Sequence, residues 1–218
     1  MPDRGSDEAS RLSLARIIDA AMAVADETGI ERLTIRRLAQ ALDTKPMSLY
    51  HHVAGKEAIV DAMVDRVFAE IDPPPADLDW RSAIRLRCCS AREVLARHPW
   101  ATPLMESRTT PGPATLAHHD AVLGCLRRGG LSLELTAHAY ALLDAYVYGF
   151  ALQAASLPAT SGTEMVDLAE SIIEPLAADA YPYLTELTTD HVLQPGYDFQ
   201  AEFDFGLDLI LDGLEQQR

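Results

Sequence analysis

Apolar residues recur at helical spacing along nearly the whole chain, and this pattern predicts an all-α fold. Within the first 71 residues it divides into four helices, at about 13–28, 34–42, 45–51 and 55–71. Ser13 and Thr34 stand where helix caps are expected, and Pro46 fits only in the first turn of the third helix. No run of alternating apolar and polar residues predicts a sheet.

A proline-rich stretch, residues 72–75, interrupts the helical pattern and predicts a domain boundary. We therefore expect a smaller domain over residues 1–71 and a larger helical domain over residues 72–218. The expected helices of the larger domain lie at about 79–97, 114–128, 132–157, 163–187 (broken at Pro175 and Pro182) and 198–215.

Two helices of the larger domain carry more apolar surface than one neighbour can cover. Residues 139–157 are apolar on nearly every side, but Asp144 and Gln153 inside the run argue against a membrane span. Near the C-terminus an apolar stripe accompanies Gly206 and Gly213, and it consists of Leu207, Ile210, Leu211 and Leu214. We expect a homodimer that pairs helices 132–157 and 198–215 of two subunits, with no membrane attachment.

The charge of the chain is strongly acidic but unevenly distributed. The formal net charge is −15, yet residues 1–60 hold eight Lys or Arg against nine Asp or Glu, whereas residues 150–218 hold thirteen acids and one arginine. Both lysines, Lys45 and Lys56, lie near the N-terminus. The N-terminus lacks an apolar signal segment and the three cysteines form no CxxC pair, so a reducing cytoplasm is the expected location.

Residues 34–52, TIRRLAQALDTKPMSLYHH, have the outline of a helix-turn-helix, whose second helix enters the major groove of DNA. Its first turn can reach base edges, and the hydroxyl, imidazole and ammonium groups around it can reach phosphates. The alternative is a pair of ordinary short helices with a solvated polar face. The candidate DNA contacts are Arg36, Lys45, Met47, Ser48, Tyr50, His51, His52 and Lys56.

Residues 13–68 resemble the DNA-binding domain of the tetracycline-repressor (TetR/AcrR) family. The resemblance is carried by IIDAAMAVADETGIERLTIRRLAQALDTKPMSLYHHVAGKEAIVDAM, and FDFGLDLILDGLE near the C-terminus resembles the closing dimerisation helix of the family. It implies that seven of the candidates meet operator DNA, with Met47 and Ser48 nearest the bases; these are Arg36, Met47, Ser48, Tyr50, His51, His52 and Lys56. Asp43 replaces a glycine common in the turn, and an aspartate tolerates the left-handed conformation required there.

The resemblance further implies a ligand-responsive regulator, a repressor released from a near-palindromic operator by a small apolar or aromatic molecule. An activator without an effector, a helical dimeric interaction protein and an enzyme are the alternatives, although no catalytic motif is present. No cofactor or metal is expected, since adjacent His118 and His119 point to different sides of a helix. The candidate ligand contacts are Arg87, Trp100, Leu104, Met105, His119, Leu123, Asp144 and Phe150, and Arg87 is an alternative ion-pair partner for Asp144.

Overall fold

A computed structural model describes residues 12–157, 166–168, 170–171 and 181–218. The elements of the described residues are helices. Those of the first domain are α1 (Leu14–Thr28), a 3-10 turn (Ile30–Arg32), α2 (Ile35–Ala41), α3 (Pro46–Leu49) and α4 (Lys56–Glu70). Those of the second domain are α5 (Trp80–Arg97), α6 (Thr102–Met105), α7 (Pro113–Arg128), α8 (Leu133–Ser156), α9 (Pro182–Leu187) with a π-helical turn (Thr188–Val192), and α10 (Phe199–Gln217).

Side-chain caps begin the helices at the residues that the sequence predicts. The hydroxyls of Ser13, Thr34 and Ser132 accept hydrogen bonds from backbone N–H groups three residues ahead, and the carboxylate of Asp79 does the same. Asp43 adopts φ 48, the left-handed conformation expected of the turn. The boundaries of the helix-turn-helix are therefore set by local chemistry that the sequence displays.

The first domain closes around a small core that fixes α3 against the other helices. Ile17, Leu38, Leu49 and Met63 are completely buried. Leu49 is the inward residue of the four-residue α3, so its burial directs the remaining side chains of that helix outward. The C-terminal half of the first domain, α4, packs against α7 of the second domain.

The second domain stacks α5, α7 and α8 against one another, with α10 lying along α8. The predicted apolar face of α5 is buried from Trp80 to Leu95, and the charged residue Arg87 is buried within it. Among the described helices, none is long and apolar enough to cross a membrane.

The structure corrects two expectations for the second domain. The segment expected to be irregular contains the short helix α6. Pro182, where a break was expected, is the first residue of α9. Most of the expected helix 163–187 lies outside the described residues.

The second correction concerns the face of α10 expected to meet a partner. Leu207, Leu211 and Leu214 are buried within their own subunit, and Gly206 faces Tyr146 of α8 so closely that a Cβ would lie 2.2 Å from the tyrosine oxygen. The apolar residues that α10 leaves exposed are Phe205 and Leu209. The face of α10 available to a partner is therefore a different one.

Candidate functional site

The segment from Lys45 to Lys56 forms a largely exposed surface of the first domain. Leu49 and Val53 anchor it in the core, while Met47 and Tyr50 are 71% and 49% exposed. Pro46 occupies the first turn of α3 and supports its start, since its missing N–H has no role there. The exposed candidate contacts are Arg36, Lys45, Met47, Tyr50, His51, His52 and Lys56, and Ser48 is partly buried.

The positive charges of this surface are not neutralised by neighbouring acids. Within the described part of the chain, Arg36, Lys45 and Lys56 form no ion pair. Lys56 is also the first residue of α4, where free backbone N–H groups add partial positive charge. This arrangement leaves both the side-chain charges and the helix end available to phosphate groups.

The first ten residues of α4 are tied to the second domain by acidic residues spaced four apart. Arg108, in the loop after α6, lies 3.2 Å from Glu57 and 3.3 Å from Asp61. At the start of α7, the backbone N–H and the hydroxyl of Thr115 both donate to Asp65, at 2.8 and 2.9 Å. A shift of the α6–α7 loop would therefore pull directly on α4.

The C-terminal end of α4 is held at a second contact between the domains. Nδ1 of His98 lies 2.7 Å from Asp26 of α1, and its Nε2 lies 3.1 Å from Glu70 of α4. The indole N–H of Trp100 donates to the same oxygen of Asp26 at 2.6 Å. Burial alone would raise the pKa of Glu70, but hydrogen bonds from Arg97 and His98 outweigh it and lower the pKa.

A charged cluster lies buried between α5, α7 and α8. Nη2 of Arg87 lies 3.0 Å from Asp144, and Nε of Arg87 donates to Nε2 of His118 at 3.0 Å. The arginine is 1% exposed and the aspartate 6%. The ion pair expected as the alternative for Asp144 is thus present, with His118 as a further partner.

Protonation within this cluster follows from burial and the charge of Arg87. Burial is the main cause that lowers the pKa of His118 from 6.5 to about 3, and the charges of Arg87 and His119 lower it further. Its ring is therefore neutral at neutral pH, with Nε2 as acceptor and the proton on Nδ1. Burial alone would lower the pKa of Arg87, but Asp144 outweighs it and raises the pKa.

Two cavities lie beside the candidate ligand contacts. One, of about 190 Å³, opens between α4 and the α6–α7 loop and is lined by Met105 and His119 together with Asp61 and Thr115. The other, of about 260 Å³, is lined by Phe150 near the end of α8 and by Gln200 of α10. The first cavity thus adjoins the contacts that hold α4.

The structure brings some of the predicted ligand contacts together and separates others. Arg87, Asp144, Met105 and His119 lie around the buried cluster and the smaller cavity. Trp100 lies at the domain contact, Leu104 is partly buried against the core, and Leu123 is 37% exposed on α7. Phe150 lies at the other cavity, stacked on Phe199 at 4.9 Å.

Sequence reasoning missed several polar residues that complete the cluster. Thr136, Tyr140 and Tyr148 lie on α8 with Asp144, each four residues from the next. This spacing inside a strongly apolar helix is a signal that was available in the sequence. In the described residues, no group of three or more His, Cys, Asp or Glu side chains is arranged to hold a metal ion.

Comparison with known proteins agrees with both halves of this architecture. Residues 17–63 match the model of bacterial regulatory proteins of the tetR family, and residues 72–218 match that of the tetracyclin repressor-like C-terminal domain. The repressor DrrR1 of Streptomyces coeruleorubidus is 37% identical over 98% of this chain and 80% of its own length.

Two further relatives are similar over nearly their whole length. The tetracycline repressor class A of Escherichia coli is 27% identical over 96% of this chain and 93% of its own. ActR of Streptomyces coelicolor, solved in complex with actinorhodin, is 30% identical with a TM-score of 0.76, over 95% of this chain and 98% of its own. With its helix-turn-helix and regulatory domain both matched, the chain belongs to the tetR family of bacterial regulatory proteins.

Proposed function

We propose that this protein is a homodimeric transcriptional repressor that leaves its operator when a small aromatic molecule occupies the second domain. The observation that carries the proposal is the double attachment of α4. This helix begins at the exposed basic surface and is held by Asp65 and Glu70 to the domain that contains the cavities. The protein acts by binding alone, without catalysis.

The DNA-facing part of the proposal rests on exposure and charge. Met47 and Ser48, in the first turn of α3, read base edges, while Arg36, Lys45 and Lys56 meet phosphates. Tyr50, His51 and His52 contact the backbone beside them. One subunit supplies few cations, so tight binding requires two copies on two half-sites about one helical turn apart.

The dimer face is supported by the apolar surface that α8 and α10 leave uncovered. On α8 the exposed side comprises Leu142 and Leu152 with small residues between them, and a Cβ added to Gly149 would meet no other atom within 4 Å. On α10 the corresponding residues are Phe205 and Leu209. Pairing the two helices with their symmetry mates buries this surface in a four-helix arrangement.

The regulatory part rests on the position of the smaller cavity. It shares Asp61 and Thr115 with the contacts that hold α4, so a ligand entering it acts on the same residues that position the DNA-binding surface. A ligand that binds more tightly to dimers with one particular spacing of their two DNA-binding domains shifts the population toward that spacing. An aromatic effector is supported by the rings that line this region and by the actinorhodin complex of ActR.

The proposal is tested with DNA from upstream of the protein's own gene. We expect the full-length protein to shift this DNA as a dimer and to lose affinity steeply as salt concentration rises, because phosphate contacts release counterions. A screen for small molecules that raise the melting temperature should then yield compounds that release the DNA. A monomeric protein, or a flat dependence of affinity on salt, would overturn the proposal.

The coupling through α4 has its own test in Asp65→Ala. This variant removes the acceptor of both Thr115 hydrogen bonds but touches none of the proposed DNA contacts. We expect DNA affinity to stay within about threefold, while the ratio of affinities with and without a releasing compound falls by about fivefold or more. Asp77→Ala, an exposed acid in the linker region, serves as control and should leave the ratio unchanged.

A further inference from the structure

The imidazole of His98 lies between two carboxylates that belong to different helices of the first domain. Its Nδ1 lies 2.7 Å from Asp26 in the last turn of α1, and its Nε2 lies 3.1 Å from Glu70 at the end of α4. His98 itself follows α5 of the second domain and is 8% exposed. One buried side chain of the second domain therefore holds the ends of two helices of the first. We call these three residues the histidine bridge.

The other partners of the two carboxylates show that the oxygens facing the ring are acceptors. The oxygen of Asp26 that faces Nδ1 also accepts from the indole N–H of Trp100 at 2.6 Å. The oxygen of Glu70 that faces Nε2 also accepts from Nη2 of Arg97 at 3.0 Å. Indole and guanidinium groups can only donate hydrogen bonds. The imidazole is therefore the donor in both of its contacts.

Donation on both sides requires a proton on each nitrogen of His98. A neutral imidazole has one N–H and one lone pair, and a lone pair that faces a carboxylate oxygen is repelled. Burial acts to raise the pKa of Glu70, but hydrogen bonds from Arg97 and His98 outweigh it, so Glu70 stays ionised at neutral pH. The charged groups that the structure places around the ring are Asp26 from α1, Glu70 from α4 and Arg97 from α5. With the imidazolium these charges balance, and without its proton one acid is left uncompensated.

The surroundings of His98 fix its position on both sides. Its backbone N–H donates to the carbonyl of Val94 at 3.0 Å, and its carbonyl accepts from the N–H of Ala101 at 2.9 Å. The ring also lies edge-on against Trp100, with the two centroids 6.0 Å apart. A buried ring packed in this way has little freedom to reorient when it loses a proton. One of its two hydrogen bonds is then replaced by a repulsive contact.

We propose that the histidine bridge is a proton-dependent joint between the two domains. The imidazolium holds the ends of α1 and α4 against the second domain, and loss of its proton releases one of the two helix ends. Histidine is the side chain whose charge ordinarily changes between about pH 5 and pH 8, so the joint responds within that range. Both helices belong to the domain that carries the basic surface, so pH acts on the position of this surface without any small molecule. The inference goes beyond the proposed function, because the joint needs neither DNA nor an effector.

The test is amide hydrogen exchange of the full-length protein, without DNA or ligand, at about pH 6 and about pH 8. The rates are corrected for the intrinsic pH dependence of exchange, so that they report the opening of each segment. We expect the protection of amides in the last turns of α1 and α4 to fall about tenfold from the lower to the higher pH, because a charge-assisted hydrogen bond is lost.

Glu70→Gln separates the proton from the contact. A glutamine side chain offers both an N–H donor and an oxygen acceptor, so it can donate to Nε2 of a neutral His98 and still accept from Arg97. We expect this variant to show equal protection at the two pH values. His98→Asn removes the titrating ring, and it should also show no dependence on pH, with lower protection than the wild type at the lower pH.

His138→Asn is the matched control, since it makes the same replacement at an exposed ring on α8. This variant should keep the pH dependence of the wild type. Wild-type protection at the ends of α1 and α4 that stays the same at both pH values would overturn the inference, and so would a Glu70→Gln variant that keeps the full change. The shift of upstream DNA is measured separately, so failure of the joint is distinguishable from failure of the repressor function.

Discussion

The cations of the two domains differ in their surroundings. At the surface proposed to contact DNA, Arg36, Lys45 and Lys56 form no ion pair within the described part of the chain. In the second domain, acids of α4, α8 and α10 lie within ion-pair distance of many arginines, which are Arg81, Arg85, Arg87, Arg97 and Arg108. Positive charge thus stays free in one region and is neutralised in the other.

This difference explains how a chain with a net charge of −15 can present a surface to DNA. Most of the excess acidic residues lie in the last 69 positions. Some of them form ion pairs with arginines of α5, as Asp204 and Asp208 do with Arg85. Local free charge, not net charge, decides whether phosphates can approach. Paired charges serve instead to fix helices against one another.

The largest expected effect on stability comes from breaking the buried ion pair between Arg87 and Asp144. Asp144→Leu leaves the charge of Arg87 in the core without a counterion, which should lower the free energy of unfolding by about 3–5 kcal/mol per subunit. Denaturant unfolding at a fixed protein concentration measures this loss.

The double variant Arg87→Met with Asp144→Leu separates charge from packing. Removing both charges should restore most of the lost stability, because an apolar pair of similar size carries no desolvation penalty. Asp19→Asn is the exposed counterpart, and breaking its pair with Arg66 should change stability by less than about 1 kcal/mol. Equal losses at the two sites would refute the contrast between them.

A smaller effect, on DNA affinity and not on stability, is expected from the free cations. Lys56→Ala should weaken binding to the operator and to unrelated DNA alike, and reduce the slope of log affinity against log salt by about one per subunit. Tyr50→Ala should likewise weaken both. Arg66→Ala, which removes a paired charge from the same helix, is the matched control. An unchanged affinity for Lys56→Ala would remove this residue from the interface.

The smallest expected effect is on the pH dependence of folding stability, to which His118 contributes. Its pKa in the folded protein, about 3, lies below the usual 6.5, so the unfolded chain binds more protons between these values and stability falls as pH falls below about 6.5. Replacement by His118→Asn should make the decline between pH 6 and pH 5 shallower by about 1.4 kcal/mol per pH unit per subunit. Unfolding curves at the two pH values measure the difference.

The exposed His138 of α8 provides the reference for that measurement. Its ring is 72% exposed, and His138→Asn is the matched histidine-to-asparagine change, which should alter stability at pH 7 by less than about 0.5 kcal/mol. Parallel pH curves for the wild type and His118→Asn would contradict a buried neutral ring in α7.

Much of the first domain could be predicted from the sequence because its determinants are local. Helix caps at Ser13 and Thr34, the proline at the start of α3 and the left-handed Asp43 each act within a few residues. The inward position of Leu49 follows from helical spacing, and it decides which neighbours face outward. The second domain was predicted less completely, since the apolar face that α10 leaves exposed depends on how α10 lies against α8.

By itself the sequence determined the helical pattern, the helix-turn-helix with its basic residues and the family of the chain. Periodicity, helix caps and motifs depend only on residues that are close together in the chain. The tertiary structure alone decided that Arg87 joins Asp144 and His118, and that Asp65 and Glu70 tie α4 to the second domain. These residues are far apart in the chain, and the burial that sets their protonation and pairing exists only when the helices pack together.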